Sequence, residues 1–239
     1  MRIRIKFRKY GVMRFIGHLD IMRYFQKAMR RANIDIAYSE GFSPHQIMSF
    51  AAPLGVGITS DGEYLDIEVH STKSTDESRD ALNAVMVDGI EITEYVVLRQ
   101  DAKKAMTSVA AADYIVYFKN QVDFTQEELE KKIHQYYEER ETIEVTKQTK
   151  KSERVIDIKP LIYVFHPCDL KELGWQGFFL QLSTGSTDNI KPELVLQDFY
   201  QYFGKTYDPF NIQIHRVETY ERTEEGLRPL YQAGDNLES

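Results

Sequence analysis

A single cysteine, Cys168, and the lack of any long apolar run set the first limits on this chain of 239 residues. One thiol cannot close an intrachain disulfide, nor can it supply the three or four thiolates of an iron–sulfur cluster or a cysteine-rich zinc site. Redox and cluster chemistry are therefore not expected from this chain alone. No stretch approaches the roughly 18–20 apolar residues of a spanning helix, so a membrane-integral protein is not expected. The opening MRIRIKFRKYG has neither the apolar segment nor the small-residue cleavage site of a signal peptide, and a cytoplasmic location is expected. There is no Walker loop, no GxGxxG after a strand and no GxSxG turn, so no cofactor is expected.

The chain is 42% hydrophobic and 28% charged, a globular composition with length for two small domains. Its formal charge is −7, yet residues 1–50 hold ten Lys and Arg against three acids, Asp20, Asp35 and Glu40. A positive field near the amino end can recruit an anionic partner although the whole molecule is acidic.

Periodicity orders the elements. Residues 2–9 alternate Ile3, Ile5 and Phe7 with Arg2, Arg4, Lys6 and Arg8, which predicts a half-buried strand with one exposed basic face. Residues 17–32 set Leu19, Met22, Phe25 or Gln26, and Met29 at helical spacing, with Arg23, Lys27, Arg30 and Arg31 on a second stripe. Strands follow at 34–39, 47–54 and 63–69, a helix at 75–88 and a strand at 90–98. Residues 99–112 read as a linker. A second series follows: a strand at 113–119, a helix from Thr125 to about 139 with a capping pattern to Glu128, strands at 142–147, 154–165 and 177–183, a helix at 191–203 and a strand at 211–221. Both series are read as β-α-β-β-α-β, each with one further short strand between its helices. The expected fold is α+β: two tandem ferredoxin-like (split β-α-β) domains with antiparallel sheets, at 1–100 and 113–221, each sheet having one free face. Residues 222–239 read as a polar tail.

The densest polar constellation joins Gly17-His18-Leu19-Asp20 to the loop from Ser39 to His45. A helix N-terminus exposes unpaired N–H groups that suit phosphate when Arg14 and Arg23 stand close, and His18 and His45 carry the imidazole from which a general acid and base are most often made. The bland alternative has His18 and Asp20 capping the helix and His45 in an ordinary loop. Two adjoining basic surfaces, on the first strand and the first helix, favour an anionic polymer such as RNA, and Phe15, Tyr24, Tyr38, Phe42 and Phe50 lie among the charges. Phe15 and Phe50 read equally well as core. His134 with Glu138, and His166-Pro167-Cys168-Asp169, have metal-compatible spacing but read as a polar helix face and a loop, so no metal site is expected.

The run from Phe15 to Ala32 (FIGHLDIMRYFQKAMRRA), YSEGFSPH from Tyr38 to His45, the stretch from Met48 to Val69, and Val155 to Pro160 together resemble a bacterial radical-SAM-associated protein family of unknown function. The resemblance covers most of the chain and implies the stand-alone form, without a cluster-binding motif, whose catalytic partner is another chain. Its motif maps to His18, Asp20, Arg23, Arg31, Ser39, Gly41, Phe42, Pro44, His45 and Asp157. Many relatives follow the loop histidine with proline and a basic residue, where this chain has Gln46 and Ile47. The basic surfaces and this resemblance, taken together, lead to the expected function: an accessory RNA-binding subunit working beside a radical SAM enzyme on tRNA or ribosomal RNA. Arg14, Arg23, Lys27, Arg30, Arg31, Ser39, Phe42 and Ser43 would hold the RNA, and Asp20, Gly41, Pro44 and Asp157 would shape the motif. Two alternatives stand beside it: a metal-independent endoribonuclease using His18 and His45, and a protein-interaction scaffold docking through the acidic residues 120–141.

Overall fold

The computed structural model describes residues 1–148, 153–185 and 188–238. The chain is α+β, with mainly antiparallel strands and few helices. Its contacts divide it into two compact units, Met1–Ala110 with Arg216–Ser239, and Ala111–His215.

The first unit begins with β1 (Arg2–Lys9), whose Ile3, Ile5 and Phe7 pack beneath α1 (His18–Arg31). Period-two alternation on the strand meets helical spacing on α1, where Ile21, Phe25, Ala28 and Met29 are buried. Leu19, expected on the apolar stripe, is instead exposed, because the inward-facing Ile21 lies two residues on, about 200° around the helix. After β2 (Met48–Phe50), β3 (Thr59–Glu68), α2 (Thr75–Asn83) and β4 (Ile90–Leu98), the sheet order is β4-β1-β3-β2, antiparallel throughout. The segment read as a strand at 34–39 makes only isolated bridges, Ile36 to Val69 and Tyr38 to Gln46. The strand expected over 47–54 is confined to three residues.

The linker expected at 99–112 contains a one-turn α3 (Ala105–Ser108) and runs into β5 (Val109–Phe118). In the second unit α4 (Gln126–Ile133) carries the capping box between Thr125 and Glu128. A single π turn, His134–Glu138, extends it. The strand expected at 154–165 is two strands. β6 (Glu144–Gln148) pairs with β7 (Glu153–Asp157) as a separate hairpin, and a 3-10 turn at Lys159–Leu161 breaks the chain before β8 (Ile162–Leu170). Pro160 supplies the break, since it has no N–H for a ladder. Asp157 closes the hairpin's base by accepting from the backbone N–H groups of Ile143 (2.8 Å) and Lys159 (3.0 Å). β9 (Trp175–Ser183), α5 (Pro192–Tyr202) and β10 (Ile212–Thr223) follow. The order within this unit is β10-β5-β9-β8, β10 entering with its residues Ile212–His215. Phe124, Phe165, Phe178 and Phe199 form an aromatic core between sheet and helices.

Residues 222–238 are not a tail. Residues 220–223 of β10 pair with β11 (Gly226–Pro229), Leu230 is fully buried, and β12 (Gly234–Asp235) pairs with β4. The apolar Leu230 and Ala233 within a polar composition are what dock it.

Candidate functional site

The basic face of β1 is the first sequence expectation to change. Arg4 is fully buried: its Nε and Nη2 hold both oxygens of Asp66 at 2.8 and 3.0 Å, and it donates to the carbonyls of Leu230 and Lys103. Asp66 also accepts the N–H of Ala105 at 2.7 Å. Arg2 donates to the carbonyls of Ala102, Arg99 and Gln100. Lys6 pairs with Glu218 at 2.7 Å, and Arg8 with Asp61 and Glu91. The face expected to be free is thus covered by residues 99–108 and 226–235, and most of its charge is neutralised. Two segments read as linker and tail supply the cover because an arginine row facing β3 acids needs acceptors once it leaves water.

The cationic stripe of α1 stays exposed. Arg23, Lys27, Arg30 and Arg31 lie on one solvated flank; Arg23 makes a loose 3.3 Å contact with Asp20, and Arg31 donates to the carbonyl of Val85 and lies over Tyr24. Arg14 lies over the ring of Phe15, 4.8 Å from its centroid, and Phe15 is exposed rather than core. Phe50 is core: it is buried against Phe7 and Phe25. The N-cap of α1 is Gly17 with no side-chain bond, so neither His18 nor Asp20 caps the helix.

The Ser39–His45 loop is stapled to itself. Ser39 Oγ lies 2.9 Å from His45 Nδ1 and accepts the His45 N–H at 3.1 Å, while the Ser39 N–H donates to the His45 carbonyl. Gly41 sits at φ 111°, the left-handed region a side chain resists, and this lets the chain reverse before Phe42, Ser43 and Pro44. Phe42 stands fully in solvent and Tyr38 is half exposed. Gln46 is buried and donates to the Gln26 carbonyl of α1 (3.2 Å) and to Tyr38 Oη. Gln46 therefore fixes the aromatic loop beside the flank that carries Arg23 and Arg30.

The two histidines have separate surroundings. His18 meets the ring of Phe50 edge-on at 5.3 Å. His45 lies five residues upstream of Phe50 along a largely extended segment, about 16 Å of chain. His45 and Ser39 border a cavity of about 290 Å³ whose wall includes Arg2, Ser49, Glu68 and Lys104, but not His18, Arg14 or Arg23. Arg2 belongs to the expected basic strand face and Lys104 to the expected linker; nothing local in the sequence marks them as neighbours of His45, since residues 2, 45 and 104 meet only through strand pairing.

His134 contacts Glu138 and Glu139 at 3.3 and 3.1 Å on an exposed helix surface, and among the described residues no three His, Cys, Asp or Glu side chains converge as metal ligands. Cys168 is buried, and that burial, with Asp169 beside it, pushes its thiol pKa up, away from nucleophilic reactivity. Among the described residues no helix is long and apolar enough to cross a membrane. No curated protein matches the chain. A family model does match, over residues 2–192, and with four-fifths of the sequence inside it the chain belongs to the family described as an uncharacterized protein conserved in bacteria, DUF2344.

Proposed function

We propose that this protein is a non-catalytic RNA-binding subunit that works beside a separate radical SAM enzyme, with tRNA or ribosomal RNA as the bound polymer. The observation that carries the RNA reading is the exposed flank of α1, where Arg23, Lys27, Arg30 and Arg31 stand together with the Phe42 loop fixed alongside by Gln46. Solvated cations bind phosphates, and an exposed aromatic offers a face to an unpaired base. The radical SAM partner is carried by family resemblance alone. The same proposal takes each unit as a ferredoxin-like domain, and strand order supports that reading: first, second, third and fourth strands in the order 4-1-3-2 recur in β4-β1-β3-β2 and in β10-β5-β9-β8, where β6 and β7 interrupt the chain before β8. The ribonuclease alternative gains no support from two imidazoles with separate surroundings.

The test is a mobility shift with total tRNA at two salt concentrations, using the intact chain and the Arg23→Ala, Arg31→Ala double variant. Binding that weakens with salt and weakens further in the double variant is expected. Absent binding, or binding indifferent to the substitutions, overturns the proposal. Purifying the untagged protein from its native cell and identifying the enzyme that accompanies it tests the partner.

A further inference from the structure

The second unit carries a row of rings that the function proposed above does not use. Its sheet buries Tyr114, Val116 and Phe118 of β5 and Phe178, Leu180 and Leu182 of β9 against the helices. Alternation places Ile115 and Tyr117 of β5, and Trp175, Gly177 and Phe179 of β9, on the opposite face. These are the two central strands of the order β10-β5-β9-β8. Tyr117 is paired with Gly177, and with no side chain at that position Trp175 leans across and stacks on Tyr117, ring centroids 4.4 Å apart and planes within 5°. A Cβ at Gly177 would come within 2.1 Å of the Val116 carbonyl oxygen, so the position demands glycine. One step along the face, His166 of β8 stacks on Phe179 at 4.7 Å and 10°. Tyr117, Trp175 and Phe179 are half-buried and His166 is exposed.

From this arrangement we infer that the helix-free face of the second unit is a stacking platform for an unpaired RNA strand, with Trp175 and Phe179 each taking one base. The inference rests on the RNA reading above and adds the second contact surface and the single-stranded character of the ligand. Aromatic side chains on the central strands of a four-stranded sheet offer flat apolar faces that any base can cover, and Trp175 and Phe179 stand four residues, about 13 Å, apart on one strand. Exposed Lys119, just beyond Tyr117, and Lys171, just before Trp175, can meet the connecting phosphates, but exposed Asp169 and Glu172 stand at the same end. Stacking, rather than net charge, is therefore what this face contributes, in contrast with the α1 flank.

Trp175 is the only tryptophan of the chain, so its emission reports this face alone. The experiment titrates the full chain with a fluorescently end-labelled, unstructured oligouridylate, following label anisotropy for total binding and Trp175 emission for the platform. The expected result is quenching of Trp175 that saturates together with anisotropy, and a loss of affinity of about five- to 150-fold in Phe179→Ala. Rising anisotropy with unchanged Trp175 emission, and Phe179→Ala binding like the parent, overturns the platform while leaving RNA binding at α1 intact. No change in anisotropy or emission overturns the RNA reading itself, and the platform with it. Because the emission is read in the unsubstituted chain, a folding defect in Phe179→Ala leaves the test decisive.

Discussion

Arg4 shows how far a residue's neighbours can reverse its role. In the sequence it is one of four cations alternating along β1; in the fold it is sealed under Leu230 and Lys103 with both oxygens of Asp66 in its fork. Removing one partner leaves the other charge buried and unpaired, so Asp66→Ala is expected to cost roughly 3–5 kcal/mol in a denaturant titration. Lys9, also buried, donates to the Ile16 carbonyl. Burial, and then the Arg216 guanidinium, lower its pKa below the ordinary 10.5 against the opposing pull of Glu63. Between the lowered value and 10.5 the unfolded chain holds more protons than the folded one, so stability from this group rises with pH across that window and is least below it. Lys9→Met is expected to remove that rise, read as a flatter dependence of the unfolding midpoint between neutral and alkaline pH than in the parent. His45 differs in kind. Its spacing from Ser39 is local, and the loop staple between them needs nothing from the rest of the fold.

At the scale of elements, the strongly periodic segments were legible. Over β1, α1 and β4 one face is apolar and the other polar, and β4 spans the residues its alternation marks, Ile90–Leu98. Where the pattern was weaker, the chain found other partners. The 34–39 segment has too few consecutive ladder bonds to form a strand, and Pro160 divides what hydrophobicity alone joined. The segment read as a tail misled because it is polar in aggregate, whereas two apolar residues, Leu230 and Ala233, do the docking. Leu230→Ala is expected to destabilise the protein by about 2–5 kcal/mol, the cost of emptying a fully buried leucine site, measurable by thermal or chemical unfolding. A true tail would show no change.

For the molecule as a whole, charge segregation survives folding in reduced form. Of the two adjoining basic surfaces read from residues 1–50, the β1 face is spent internally and the α1 flank remains. Each phosphate contact on single-stranded nucleic acid contributes about 0.7 to the slope of log affinity against log salt, so Arg23→Ala with Arg31→Ala should lower that slope by about 1.4. Equal slopes would mean that neither side chain meets a phosphate. Composition, periodicity and motif spacing by themselves determined the α+β class, the helical cationic stripe and the turn at Gly41, because each depends on residues within one or two turns of one another. Only the tertiary structure decided which cations reach solvent, that Arg2 and Lys104 join His45 around one cavity, and that Trp175 lies flat on Tyr117. Those contacts are made by strands pairing across long stretches of chain, and register, unlike periodicity, is not written in any single segment.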